Sequence, residues 1–376
     1  MTAPVYLDYN ATAKVRPEAL ASVNAALEIG ANPSSTHAAG RKARAVIERA
    51  RAEVAALAAA KPEMITFLSG GVEANALAMQ SALAAGFERV IIGATEHDSV
   101  WATAHSAFAK VEVWPVNEIG VADLGWLSDA LARDGRALVC LMAANNETGV
   151  IQPVEAASAM TREAGAWLHV DAVQAAGKLP LDVAALGADT LTLSAHKLGG
   201  PQGVGALVTT GDVVIIRQVH GGGQERGRRA GTENLSGIAG FGAAATAALR
   251  DLPTVGAQAA WRDALAAHLK FAGATVLGEG AARLPQTLCV ATPGFSSEVQ
   301  VMALDLSGVM ISAGAACSSG KVKASRVVEA MGRADLASSS IRVSGGWAST
   351  EADWARCGEA WLDAFERRMA RRREFA

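Results

Sequence analysis

The chain has 376 residues, 51% of them hydrophobic and 19% charged, with 34 basic against 37 acidic side chains. It is too apolar for a disordered protein and long enough to bury one large core or two packed domains, which excludes a small disulfide- or metal-stapled scaffold. A formal net charge of -3 supplies no general field for nucleic acid or an anionic membrane, so neither is expected as a partner.

The start of the chain, up to about Lys14, reads as an extended, Pro-bounded segment with no basic region leading into an apolar stretch. No apolar run approaches bilayer length, and a cytoplasmic protein is expected. From there to about residue 252, long helical patterns alternate with short β-branched runs, the signature of βαβ units and a mostly parallel sheet in a large three-layer α/β domain. Helices are expected over Ala38–Ala60, Val72–Ala85, Leu124–Arg133 and Glu155–Ala164. Strands are expected over Met64–Leu68, Arg89–Gly93, Ala137–Met142, Trp167–Val170, Thr190–Leu193 and Gly205–Thr209, several of them too apolar for a sheet with one wet face. The pattern changes near Leu252-Pro253. A helix through Trp261–Phe271, strands near Thr275–Leu277 and Thr287–Ala291 and a last helix from Thr350 predict a smaller α+β domain. The expected division is 15–252 for the large domain, with 1–14 and 253–376 forming the small one. The basic run near the C-terminus reads as a solvated helix end whose cations favour the negative pole of the dipole.

Four segments carry chemistry. In Ser194-Ala-His-Lys-Leu-Gly-Gly-Pro201, Lys197 leaves an apolar strand into a glycine-rich turn, where desolvation can make an amine nucleophilic enough for Schiff-base formation. In His169-Val-Asp-Ala-Val-Gln174, Asp171 follows another apolar strand, at the edge where open α/β sheets bind ligands. A lysine and a carboxylate so placed are what pyridoxal 5'-phosphate requires, since an acidic partner keeps its ring nitrogen protonated. Leu68-Ser-Gly-Gly-Val-Glu-Ala-Asn75 joins a strand to a helix whose first amides can hold a phosphate. Thr95-Glu-His-Asp-Ser99 places His97 at the same edge, able to stack on an aromatic ring. The four cysteines, Cys140, Cys289, Cys317 and Cys357, have no C-x-x-C spacing and are expected to be reduced. Cys140 and Cys289, on apolar strands, and Cys357, in the last helix, read as inert. Cys317 differs, because it lies in a run of small residues, Ile311-Ser-Ala-Gly-Ala-Ala-Cys-Ser-Ser-Gly320, with little capacity to pack.

With Tyr6-Leu-Asp-Tyr-Asn-Ala-Thr12, Asn32-Pro-Ser-Ser-Thr-His37, Asn145-Asn-Glu-Thr-Gly149, Arg229-Ala-Gly-Thr-Glu-Asn234 and Ser340-Ile-Arg342, these segments resemble, in order and over nearly the whole chain, the cysteine desulfurases of the NifS/IscS type, class V pyridoxal-phosphate enzymes. The resemblance implies a homodimer of fold type I in which Lys197 carries the cofactor, Asp171 bonds its ring nitrogen and His97 stacks on the ring. It implies contacts from Gln174 and Asn146 to the ring substituents, Asn146 also lying near the substrate. The phosphate would be held by the Gly71 and Val72 amides, by Ser194 and His196, and by Thr232 reaching across from the partner subunit. Arg342 would clamp the carboxylate of L-cysteine, and Cys317 would take its sulfur as a persulfide, releasing alanine. A sulfur-acceptor protein, such as an iron-sulfur scaffold, is the implied partner. Val72 stands where the family usually has Thr, which removes a hydroxyl from the phosphate site and leaves the amides.

Three rival readings predict different behaviour. A class V aminotransferase or selenocysteine lyase would share Lys197 and Asp171 but need no cysteine, and the small-residue run around Cys317 speaks against it. A non-catalytic sulfur-relay scaffold would have no reason to keep Lys197, Asp171, Gln174, His97 and Arg342 together. A nicotinamide oxidoreductase is disfavoured because no glycine fingerprint follows the first strand. The segment His220–Thr232, rich in Gly and Arg, reads best as a loop crossing a dimer interface, ahead of an anion site or a flexible polar turn.

Overall fold

The computed structural model describes residues 4–133, 135–211, 213–314 and 324–374. After a short strand β1 (Val5–Tyr6), helices α1 (Pro17–Leu27) and α2 (Ala38–Leu57) lead into the repeating part of the chain. There β2 (Ile65–Leu68), α3 (Gly71–Ala84), β3 (Arg89–Gly93), α4 (Asp98–Ala107), β4 (Lys110–Trp114), α5 (Leu124–Leu131), β5 (Ala137–Met142), α6 (Val154–Glu163), β6 (Trp167–Asp171), α7 (Val183–Leu186), β7 (Thr190–Ser194) and β8 (Gly205–Thr209) alternate. The seven strands form one sheet in the order β2-β8-β7-β6-β5-β3-β4. Only β8 runs against its neighbours, so β2, β3, β5, β6 and β7 all end at one edge.

Both faces of this sheet are dry. Along β5, Val139 and Leu141 enter the cluster that includes Leu168, Val170, Leu191 and Leu193, while Leu138 and Cys140 point to the other face with Phe87, Val90 and Ile92. A strand apolar at every position is the consequence of helices on both sides. Small residues let α8 (Leu235–Arg250) approach its neighbours closely. A Cβ on Gly240 would lie 2.7 Å from side-chain carbons of Pro201 and Val23.

The chain then passes almost directly into α9 (Leu252–Phe271), with Pro253 in its first turn, and on to β9 (Thr275–Val276), β10 (Thr287–Ala291), α10 (Ser297–Leu306), β11 (Val309–Met310), β12 (Ser312–Ala313), α11 (Arg326–Ala330), β13 (Ser340–Ser344) and α12 (Glu351–Glu374). An antiparallel sheet, β12-β13-β10-β9, packs Leu288, Val290, Ile341 and Val343 against Trp354 and Trp361 of α12. β1 pairs with β11 in parallel, and Val5 and Leu7 join this second core. The helix and strand runs expected from sequence are present with ends shifted by a few residues. β4 was not among them; it is the sheet's edge strand, where Lys110 and Glu112 interrupt the apolar pattern.

The segment 220–232 differs from a solvated polar turn at two buried residues, Ala230 and Glu225. Glu225 is buried, and its carboxylate accepts from Arg51 Nη1 and Nη2 at 2.7 and 2.8 Å and from the Phe67 amide at 2.8 Å. Arg51, on α2, lies over the Phe67 ring at 4.8 Å. This bidentate pair holds Glu225 and Arg226 at φ 46° and 59°, in the left-handed region that ordinary side chains avoid. Removing the Glu225 carboxylate leaves the buried Arg51, among the described residues, with only the half-buried Glu48, 3.2 Å from its Nε, as counter-charge. Glu225→Ala is therefore expected to lower unfolding stability by about 3–5 kcal/mol in urea titration; a loss below about 1 kcal/mol would show that the pair does not anchor the segment.

Candidate functional site

Lys197 lies in the turn just past β7, and its Nζ donates to the carbonyls of Asn10 at 2.6 Å and Ala11 at 2.7 Å. Burial and then the Arg342 charge lower its pKa to about 8, against opposing pulls from Asp8 and Asp171. The amine is thus far easier to deprotonate than a surface lysine, as a nucleophile requires. His196, beside it, contacts Thr12 Oγ1 at 3.2 Å and is kept neutral by burial and the nearby Lys197 charge, its pKa falling to about 4.

Asp171 ends β6 and is buried. One carboxylate oxygen accepts from the Val173 amide at 3.0 Å and the other from Asn75 Nδ2 at 2.8 Å. Asn75, on α3, is the hub of a chain of contacts. Its Nδ2 also donates to Ser99 Oγ at 2.9 Å, and its Oδ1 meets His169 Nε2 at 3.0 Å, while His169 Nδ1 meets Thr190 Oγ1 at 2.8 Å. Burial pushes the His169 pKa down, so this imidazole is neutral. Ser99 carries the chain onward to His97, whose Nδ1 lies 2.8 Å from Ser99 Oγ and accepts from the Ser99 amide at 3.1 Å, capping α4. The His97 ring is exposed, at the sheet edge where β3 ends.

The turn between β2 and α3 presents the first amides of α3, including those of Gly71 and Val72, with no side-chain cap on them. Backbone has to come close here. A Cβ on Gly205 of β8 would lie 2.6 Å from the Gly70 carbonyl carbon, and one on Gly71 would lie 3.1 Å from Val173 Cγ2 and 3.7 Å from Ser194 Cβ. Ser194 is buried, and Thr192 Oγ1 is a buried oxygen without a partner. Val72 and Thr232 are exposed.

Arg342, on β13, is buried and held by Asp8 Oδ1 at 2.9 Å and the Asn146 carbonyl at 3.1 Å, with Nε unpartnered. Asn146 is half-buried, and its carbonyl also accepts from Asn10 Nδ2 at 3.2 Å. Gln174 donates to the Asn10 carbonyl at 3.0 Å and accepts from Lys178 at 2.7 Å. The structure thus gathers Lys197, Asp171, Gln174, Asn146, Ser194, His196, His97, Gly71 and Arg342 around the strand ends. Cys317 lies outside the described residues. Cys140, Cys289 and Cys357 are buried and free, and burial raises the pKa of each.

The donor set fits pyridoxal 5'-phosphate: uncapped helix amides and hydroxyls for a phosphate, a fixed carboxylate for a ring nitrogen and a desolvated amine for an aldehyde. A cavity of 20 Å³ lies between Lys197 and Lys178, while a larger one of 380 Å³ opens beside Trp167 and Asp189, at the opposite ends of β6 and β7. Chemistry, and not volume, locates the site.

Several residues central to this geometry carry no role in the sequence reading. Asn10, Asn75 and His169 sit inside quoted motifs, Lys178 lies just past one, and period-two spacing already places His169 and Asp171 on one face of β6. Glu96 is a further case. It is buried, its Oε1 accepts from the Met142 amide, and Oε2 has no partner.

The aminotransferase class-V family model matches residues 5–356. The chain is 43% identical over 338 residues to a cysteine desulfurase of Cereibacter sphaeroides, covering 87% of this chain and 86% of that protein. Its fold is similar to that of a NifS-like protein from Rickettsia africae, with a TM-score of 0.89 and 32% identity over 96% of this chain and 99% of the other. It is also similar to SspA, solved in complex with cysteine, with a TM-score of 0.76 and 28% identity over 90% and 98% of the two chains.

Burial, and then the Asp171 charge, raise the Glu96 pKa to about 8. The folded protein therefore retains a proton that the unfolded chain loses above the ordinary carboxylate range, so this contribution is full in acid and fades as pH rises toward 8. Stability measured by denaturant titration is expected to fall between pH 5 and 8 with up to about 1.4 kcal/mol per pH unit from this site. Glu96→Gln removes that slope; an unchanged slope in the variant would assign the proton elsewhere.

Proposed function

Because this chain belongs to the cysteine desulfurases of the class-V aminotransferase family, we propose that it converts L-cysteine to L-alanine and carries the released sulfur as a persulfide on Cys317. The observation that carries the reading is the convergence of a desolvated Lys197, a fixed Asp171 and uncapped α3 amides at one sheet edge.

Pyridoxal 5'-phosphate, when bound, supplies an electron-withdrawing ring that weakens bonds at the substrate Cα. The residues of the chain divide the remaining work. The amides of Gly71 and Val72, with Ser194 and His196, hold the phosphate, and Thr232 adds to this set from the partner subunit of a homodimer. Thr232 is exposed in the single chain, at the end of a segment that also exposes Val214, Ile216 and Val219, which favours a covered surface there. Asp171, held in place by Asn75, would keep a proton on the ring nitrogen. His97 would stack on the ring, and Gln174 and Asn146 would contact its substituents. Lys197 would hold the cofactor through its amine, and its lowered pKa would let it give and take a proton at Nζ near neutrality.

Arg342 takes the substrate carboxylate in a bidentate pair, which requires it to exchange Asp8 for the ligand. The Cys317 thiolate then attacks the substrate sulfur. The C–S bond breaks, an S–S bond forms on Cys317, and a proton returns to the carbon that becomes the methyl group of alanine, so cysteine plus enzyme thiol balances alanine plus enzyme persulfide. In this arrangement residues 15–252 form the cofactor-binding domain, while 1–14 and 253–376 form the smaller one that carries Cys317. The persulfide passes to an acceptor protein for iron-sulfur cluster or thio-cofactor synthesis. Among the described residues no helix is long and apolar enough to cross a membrane. The buried free thiols favour a reducing, cytoplasmic setting.

Two experiments test this reading. Incubated with pyridoxal 5'-phosphate, the purified protein is expected to develop a visible-edge absorbance band that borohydride abolishes and that Lys197→Ala never forms; no band in the wild type would remove the cofactor assignment. Cys317→Ala is expected to lose at least about 99% of alanine release from L-cysteine in the presence of a thiol, by analogy with the loss of other catalytic nucleophiles, and mass spectrometry of the wild type should find one added sulfur on Cys317. Wild-type turnover in the variant would mean that another group accepts the sulfur.

A further inference from the structure

Lys178 is a buried amine that has no carboxylate partner among the described residues. Its Nζ donates to Gln174 Oε1 at 2.7 Å, with a longer contact to Asn10 Oδ1 at 3.4 Å. The charges that act on it are those of Lys197 and Arg342, both cationic, and burial works in the same direction, so the amine is driven toward its neutral form. A neutral amine still donates hydrogen bonds while avoiding the cost of an unpaired buried charge.

Local backbone sets the position. The amides of Ala175 and Ala176 both donate to the Ala172 carbonyl and those of Lys178 and Leu179 to that of Ala175, a helical turn that brings residues 174 and 178 to one face. Gly177 completes it at φ 69°, where a Cβ would lie 2.8 Å from Ala248 Cβ.

The consequence falls on Gln174. An amide can present either its oxygen or its NH₂ at a given point, and the two look alike in shape. Here both neighbours demand one orientation. Lys178 donates to the oxygen, and the Asn10 carbonyl accepts from Nε2 at 3.0 Å. The same carbonyl accepts from Lys197 Nζ at 2.6 Å, so the NH₂ end of Gln174 is directed to the place where Lys197 acts. We propose that Lys178 is a positioning residue, which locks the Gln174 amide so that it offers a donor to the anionic ring oxygen of the bound cofactor. The proposal rests on the pyridoxal-phosphate reading above. It predicts that Lys178 acts on the cofactor through Gln174 and by no other route.

The test is a double-mutant cycle on cofactor binding, read by equilibrium dialysis of pyridoxal 5'-phosphate against the cofactor-free protein and by the position of the absorbance band. Lys178→Met, which keeps length and loses the donor, is expected to weaken binding about tenfold and to shift the band. In a Gln174→Met background, Lys178→Met is expected to cost no more than about twofold further. Equal losses in both backgrounds, or a Lys178→Met protein with unchanged affinity and band, would overturn the proposal, since a purely structural lysine acts regardless of Gln174. If Lys178→Met does not fold, Lys178→Gln, which retains an N–H donor, decides the matter. It is expected to bind at least about threefold more tightly than Lys178→Ala, and equal binding by the two would exclude the donor role. A wild-type protein that fails to bind pyridoxal 5'-phosphate would defeat the functional reading itself, an outcome distinct from any difference among variants.

Discussion

The carbonyl of Asn10 is the point on which the site turns. It accepts from Lys197 Nζ and from Gln174 Nε2, while the Asn10 side chain reaches the Asn146 carbonyl and Thr287 Oγ1 and its amide donates to Ser344 Oγ. A short extended segment thereby links the parallel sheet that positions Lys197 to the antiparallel sheet that positions Arg342. Lys197 and Arg342 are thus held by separate cores, and the segment 5–13 sets their spacing. Buried polar contacts of this kind leave little freedom, because each donor left unmade costs more than each one made contributes.

The acidic half of the site follows the same logic with a different device. Asp171 could have been fixed by an arginine, which would have cancelled the charge that its proposed role calls for. It is fixed by an amide, Asn75, whose other end rests on a neutral His169, itself tied to Thr190. Dipoles orient the carboxylate while leaving its charge available. The same Asn75 reaches through Ser99 to His97, so Asp171 and His97 belong to one hydrogen-bonded chain.

Much of this was legible in the sequence. Short continuous apolar runs located β5, β6, β7 and β8 because both sheet faces are dry, and helical spacing located α6 between β5 and β6, whereas the single turn of α7 was not expected. Lys197, Asp171 and the glycines before α3 stood out because each follows such a strand. What did not show were residues whose role lies in contacts from afar. Asn10 is 187 residues from Lys197 and 334 from Ser344, and no local rule connects them. Glu225 looked like one charge among the arginines of a polar loop, whereas its partner Arg51 lies 174 residues earlier on α2. Lys178 follows a glycine outside every motif, and only tertiary burial makes it unusual.

The pairing of β1 with β11 carries a consequence for the order of folding. The segment around Asn10 touches both bodies, but its strand partner, the core that takes Val5 and Leu7 and the Ser344 hydroxyl that takes its amide all belong to the second one. The parallel sheet can therefore form its own apolar core before the two carbonyls that hold the Lys197 amine are fixed. Until the second core closes over the segment 5–13, the burial that sets Lys197 apart from a surface lysine is incomplete.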